Sequence, residues 1–188
     1  DLRGPAAASY LTLRRDVRRC AAPRCGGFFV DSVNRATLRC ADGQRSAEND
    51  GLNANFGFVV TPRGVILIDS GASRLGAEKI AAAIRKVTDK PVRWVLNTGS
   101  QDHRWLGNDT FAGKGAEVIA LARTAATQAE YATQHIDGMK RFLGDRMQGT
   151  RPLPAPKPLP DATMLELGGE TLMLAYTGKK AEAIAEAK

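Results

Sequence analysis

Only two histidines occur in the 188 residues, His103 and His135, and one of them sits among groups that can do chemistry. The stretch is Ser100-Gln101-Asp102-His103-Arg104-Trp105. An imidazole beside a carboxylate can act as a general base, with Asp102 or the more distant Asp69 orienting the ring. Asp102 and His103 can equally serve as two ligands of a weak metal site, with Asp69 a third. Ser100 is the nearest hydroxyl, with no evident pairing to make it a nucleophile. Arg104 offers a fork of donors to an anion, and Trp105 a stacking face. Each residue also has a plainer reading. His103 can bond a neighbouring loop, Trp105 can be core, and Arg104 can be solvated. Asp69, at a strand end before Ser70-Gly71, can pin backbone N–H groups. His135 lies between Gln134 and Ile136 and reads as a surface or boundary residue of a helix.

These groups need elements to hold them. Phe56 to Val60 and Val65 to Ile68 are apolar, β-rich runs around Thr61-Pro62-Arg63-Gly64, which predicts a hairpin. Ser70 or Ser73 caps a helix from Leu75 to Val87, with Ile80, Ala83, Ile84 and Val87 on one face. Asp89-Lys90-Pro91 ends it. Val92 to Leu96 and Val118 to Leu121 read as buried strands, and Thr124 to Leu143 as a long helix stopped by Gly144. This alternation predicts an α/β chain, a sheet with helices packed on it. It also puts residues 97–108 where such sheets carry their working residues, in a polar loop beyond a strand end. Arg151 to Pro160 holds five of the nine prolines and reads as an extended connector. Met164 to Leu167 and Leu172 to Tyr176 predict a second hairpin around Gly168-Gly169.

Three anchors, Ile68-Asp69-Ser70-Gly71, Asn97-Thr98 and Leu106-Gly107-Asn108, carry a likeness. Together they resemble the N-terminal half of the metallo-β-lactamase fold, over residues 49 to 178. In that family a strand ends in an I-D-(S/T)-G turn, and a later strand ends in N-T-H-x-H-x-D-H followed by G-N. The resemblance implies a mixed sheet within half of an αββα sandwich, and descent from a zinc-dependent hydrolase. Without gaps, the family's first two histidines fall on Gly99 and Gln101, its aspartate on His103 and its last histidine on Arg104. A one-residue slip recovers Asp102-His103 as the D-H pair but spoils the spacing to Gly107-Asn108. A later zinc histidine, in G-x-x-H-T, falls on Ala181. A two-zinc centre needs several imidazole and carboxylate ligands converging to hold and deprotonate a water. Two histidines do not supply that set. The expectation is a degraded zinc site, with Asp102 and His103 the residues left to hold a metal at low occupancy and little or no hydrolysis. The second half of the sandwich is unmatched, so an apolar sheet face is expected to lie open.

The net charge of +7 draws heavily on Arg14, Arg15, Arg18, Arg19, Arg24, Arg35, Arg39 and Arg45. Such a segment can meet nucleic acid, an anionic surface or an acidic partner, or can simply be solvated. Aromatic residues to stack on single strands are sparse there. Cys20, Cys25 and Cys40 share the segment. Their spacing is not that of a zinc ribbon, and no histidine is near. One disulfide with a free thiol, or three reduced thiols, both fit. Residues 10 to 45 resemble a small cysteine-bearing bacterial domain of unknown function, which would favour an exported protein. Domains of that type continue with a further cysteine where this chain reads Glu48-Asn49-Asp50-Gly51. The expected division is therefore 1–47, 48–178 and a charged tail, 179–188. No apolar run approaches the about 20 residues of a membrane helix. A reading from another class stands beside the hydrolase remnant. It is a non-enzymatic binding protein, using the basic segment or the open sheet face for a protein partner or self-association.

Overall fold

The computed structural model describes residues 10–12, 28–30, 35–38, 47–54 and 56–175. The three cysteines, most of the basic segment, Tyr176, Ala181 and the charged tail lie outside the described residues.

In chain order the strands and helices are β1 (Tyr10–Thr12), β2 (Phe28–Val30), β3 (Arg35–Leu38), β4 (Phe56–Thr61), β5 (Gly64–Ile68), α1 (Arg74–Arg85), β6 (Val92–Leu96), α2 (Asp102–Trp105), α3 (Asn108–Ala112), β7 (Glu117–Ile119), α4 (Ala122–Leu143), β8 (Thr163–Leu167) and β9 (Glu170–Ala175). A 3-10 turn, Gly144–Met147, comes directly after α4. Six strands form one sheet in the order β2-β3-β4-β5-β6-β7, and three form another, β1-β9-β8. The larger sheet is mixed. Pairing is antiparallel from β2 to β5, then parallel across β5-β6 and β6-β7. The helix α1 makes the crossover that a parallel β5-β6 pair requires. Its first turn is capped as expected by Ser73, whose Oγ accepts the Gly76 N–H at 2.9 Å.

Alternation along the strands sorts side chains between two cores. Val65, Leu67, Val95 and Val118 point to one face and pack with Ala77, Ile80 and Ile84 of α1 and with Phe111 of α3. Val59, Ile66, Leu96 and Ile119 point to the other and meet Leu167, Leu172 and Leu174 of the small sheet. The architecture is a helix layer, a mixed sheet and a partial second sheet. The sheet face expected to lie open is thus covered where β8 and β9 pack on it. Met164 and Met173, cross-strand partners on the far side of the small sheet, are 58% and 41% exposed, and among the described residues Tyr131 and Phe142 of α4 are the other large apolar side chains left outside.

The match to expectation is close where periodicity is long. The polar loop after β6 differs, because it holds two short helices, α2 and α3. Short strands of the basic N-terminal segment pair into both sheets. β1 pairs with β9, and β3 with β4. Residues 47–54 pack on the helix layer. Asp50, buried and at φ 55°, is clamped by Lys79 at 2.5 Å and Arg146 at 2.7 Å, and its carbonyl accepts the Ser73 hydroxyl at 2.9 Å.

Candidate functional site

The parallel strands β5 and β6 end side by side, with Ile68 opposite Leu96. The turn beyond β5 and the loop beyond β6 are laced to each other. The Asp69 N–H donates to the Leu96 carbonyl at 2.9 Å, the Ser70 N–H to Arg104 O at 2.8 Å and the Gly107 N–H to Gly71 O at 3.0 Å. Turn 69–71 and loop 97–107 are therefore one rigid unit.

Asp69 takes a left-handed φ of 61°. Aspartate tolerates this region better than most residues, and here its carboxylate reaches across to the neighbouring loop. It accepts the Thr98 N–H at 2.8 Å and the Thr98 hydroxyl at 2.7 Å. Arg104 Nη1 lies 3.3 Å from Asp69 Oδ2 and also donates to Thr98 Oγ1. Burial raises the Asp69 pKa above the usual carboxylate range. The Arg104 charge, the two Thr98 bonds and His103 pull the other way without cancelling it. Asp69 thus pins the loop through backbone and hydroxyl bonds, and the anion that Arg104 engages is Asp69 itself.

Asp102 and His103 form a second, local unit. Asp102 Oδ1 accepts the His103 backbone N–H at 2.7 Å and stands 3.2 Å from His103 Nδ1. Both side chains are less than one-fifth exposed, 18% for His103 and 19% for Asp102. A carboxylate against Nδ1 orients an imidazole as a base would need. Ser100 uses its carbonyl to accept the indole N–H of Trp105 at 3.0 Å. Trp105 is core, fully buried. His135 stands apart on α4, against Tyr131 and Trp105 with ring centroids 6.2 and 5.9 Å away.

Under the loop lies a buried amide network whose role sequence reasoning missed. Asn108 Oδ1 accepts the Ser70 hydroxyl at 2.7 Å and Asn97 Nδ2 at 3.1 Å. Asn108 Nδ2 donates to Asn97 Oδ1 at 2.8 Å and to Leu153 O at 2.9 Å. Gln128 of α4, fully buried, donates to Asn97 Oδ1 at 3.2 Å and Gly99 O at 3.3 Å. The available signal was Gln128 itself, a polar residue in line with Ala125, Ile136 and Met139 on the buried face of α4. Asn108→Ala should lower unfolding stability by about 3 kcal/mol, since each buried polar group left without a partner costs ~1–3 kcal/mol. Urea unfolding measures it, and a loss under about 0.5 kcal/mol, the scale of an ordinary surface substitution, would refute the network's role.

A family model described as "Domain of unknown function (DUF6748)" matches residues 9–50. No curated protein matches this sequence. Solved structures do. A metallo-beta-lactamase from Pontibacter korlensis aligns at 17% identity and a TM-score of 0.53, covering 78% of this chain and 58% of its own. One from Hirschia baltica aligns at 16% and 0.54, covering 77% and 58%. Metallo-beta-lactamase IND-7 aligns at 21% and 0.54, covering 79% and 60%. The fold is metallo-β-lactamase-like. At these identities the likeness speaks for the fold alone, and the chain spans less than two thirds of each of the three structures.

That fold family implies zinc, and the residues present do not fit it. Position 99 has no side chain. A Cβ built there would lie 2.5 Å from Gln101 Oε1 and 3.0 Å from Arg104 Cδ, so two other side chains already fill the space. Position 104 presents a cation instead of a ligand. Among the described residues no three of histidine, cysteine, aspartate and glutamate converge as a metal site.

Proposed function

We propose that this chain is a relative of the metallo-β-lactamase-fold hydrolases whose zinc site is degraded, leaving it inactive or weakly active as a hydrolase. One observation carries this reading. The loop positions that the family resemblance assigns to zinc ligands hold Gly99, Gln101, His103 and Arg104, of which only His103 is an ordinary zinc ligand, and Arg104 is ion-paired to Asp69. The Asp102–His103 pair is the remaining chemistry, and alone it offers two ligands or one oriented base. Asp69 belongs to the scaffold that holds the loop rather than to bond-breaking. The test is turnover of ester, thioester and lactam substrates by zinc-supplemented protein, with and without chelator. Rates should sit at or little above buffer background. Efficient, chelator-sensitive turnover abolished by His103→Ala would overturn the reading.

A non-enzymatic binding role is the second reading. It draws on the +7 charge concentrated in the N-terminal arginines and on the exposed Met164 and Met173. Either feature suits association with an acidic macromolecule or another protein. An exported location is part of this proposal, resting on the three cysteines of the N-terminal segment. Among the described residues no helix is long and apolar enough to cross a membrane.

A further inference from the structure

We infer that Arg104 is the resident cation of this site, an internal guanidinium standing on the ground a divalent metal would need and closing the site to one. The inference rests on the reading of a degraded zinc site and adds what replaced the metal. Four observations support it.

The first is the partner. Asp69 is a buried carboxylate with a side chain 8% exposed, and Arg104 is its ion-pair partner at 3.3 Å. A carboxylate in that position needs a nearby positive charge, and the chain provides one from its own sequence. The second is aim. The Arg104 carbonyl accepts from the Ser70 N–H at 2.8 Å, the Ser70 hydroxyl at 3.3 Å and Asn97 Nδ2 at 3.1 Å. Its backbone is held by the same turn that carries Asp69, which fixes where the side chain starts, and the Asp69 and Thr98 oxygens hold its far end. The third is room. A Cβ built at position 99 would meet Gln101 Oε1 first, at 2.5 Å, and then the Arg104 stem, with Cδ at 3.0 Å and Nε at 3.3 Å. Glycine at 99 therefore leaves room that the Gln101 and Arg104 side chains share. The fourth is reach. Arg104 also donates to the Thr98 hydroxyl, which itself donates to Asp69 Oδ2. The guanidinium thus bonds to groups beyond both strand ends, Asp69 after β5 and Thr98 after β6.

Restoring ligands around an arginine that stays in place should then fail. The test is uptake of cobalt(II) by the full chain, measured by visible absorption after dialysis. Compared are the native sequence, Gly99→His/Gln101→His, and the same pair with Arg104→His added. Neither of the first two should take up cobalt saturably, while the triple variant should bind it near stoichiometrically. Equal uptake by the double and triple variants would overturn the inference, as would a folded triple variant that binds none. If the triple variant does not fold, Arg104→Met is compared with Arg104→Met/Asp69→Asn by urea unfolding. The midpoint should fall for the single change and return most of the way for the pair. An Arg104→Met midpoint equal to the native one would overturn the inference. Cobalt uptake by the native chain, lost in His103→Ala, would instead defeat the degraded-site reading on which the inference rests.

Discussion

Arg104→Met should destabilise the fold by about 3 kcal/mol at neutral pH, and by much less in acid. Breaking a buried ion pair from one side costs ~3–5 kcal/mol because the other charge is left uncompensated. The lower end applies, since the Arg104 side chain keeps 25% exposure against 8% for Asp69. The pH dependence comes from the raised Asp69 pKa. A carboxyl that holds its proton more tightly when folded contributes stability fully present below its unfolded value, about pH 4. That stability is lost as pH rises through the higher folded value. Without Arg104 the folded value climbs further, so the loss deepens. The difference between native and Arg104→Met should therefore be smallest below about pH 4 and grow as pH rises toward neutrality. Urea unfolding of both proteins across that range tests it. A difference that does not change with pH would mean that the guanidinium acts through packing alone.

Gly107→Ala should be as damaging for a different reason. The Gly107 Cα faces the turn after β5, and an added Cβ would sit 2.1 Å from the Ser70 carbonyl oxygen and 2.9 Å from the Ala77 Cβ. The obstruction is backbone on one side and the packed face of α1 on the other, so neither can step aside cheaply. Overpacking costs ~1–3 kcal/mol, and this case belongs at or above the top of that range. The shift also threatens the Gly107 N–H bond to Gly71 O, which joins the two halves of the site. Chemical unfolding should show a loss near ~3 kcal/mol. Stability within about 0.5 kcal/mol of native would show that the turn relaxes and that the close approach is not structural.

Gly107 and its neighbour Asn108 illustrate how much is legible in the sequence. Gly107 and Asn108 are readable as a fixed pair at a fixed distance from Asn97, which serves to recognise the fold. The reason for them, a carbonyl 2.1 Å from a missing Cβ and a four-bonded buried amide, depends on residues as distant as Ser70 and Leu153. Local pattern carries no such information. The hairpin of β4 and β5, the crossover helix with its Ser73 cap and the parallel β6 are readable because each has a period or a cap of its own. The helices α2 and α3, of four and five residues, are too short to show a period. Periodicity starts α4 at Thr124, two residues late, because Leu121 provides no side-chain cap to mark Ala122. At the site, Asp69, Asp102, His103 and Arg104 all stand out by type. Their pairing is not readable, because Asp69 and Arg104 meet only when β5 and β6 align.

Metal content of the purified full chain, measured by elemental mass spectrometry beside a His103→Ala control, tests the central claim most directly. The account predicts far less than stoichiometric zinc in both proteins, and no difference between them. Near-stoichiometric zinc in the native chain, lost in His103→Ala, would contradict it. Asp102 and His103 would then hold a working metal, and the hydrolase would be alive.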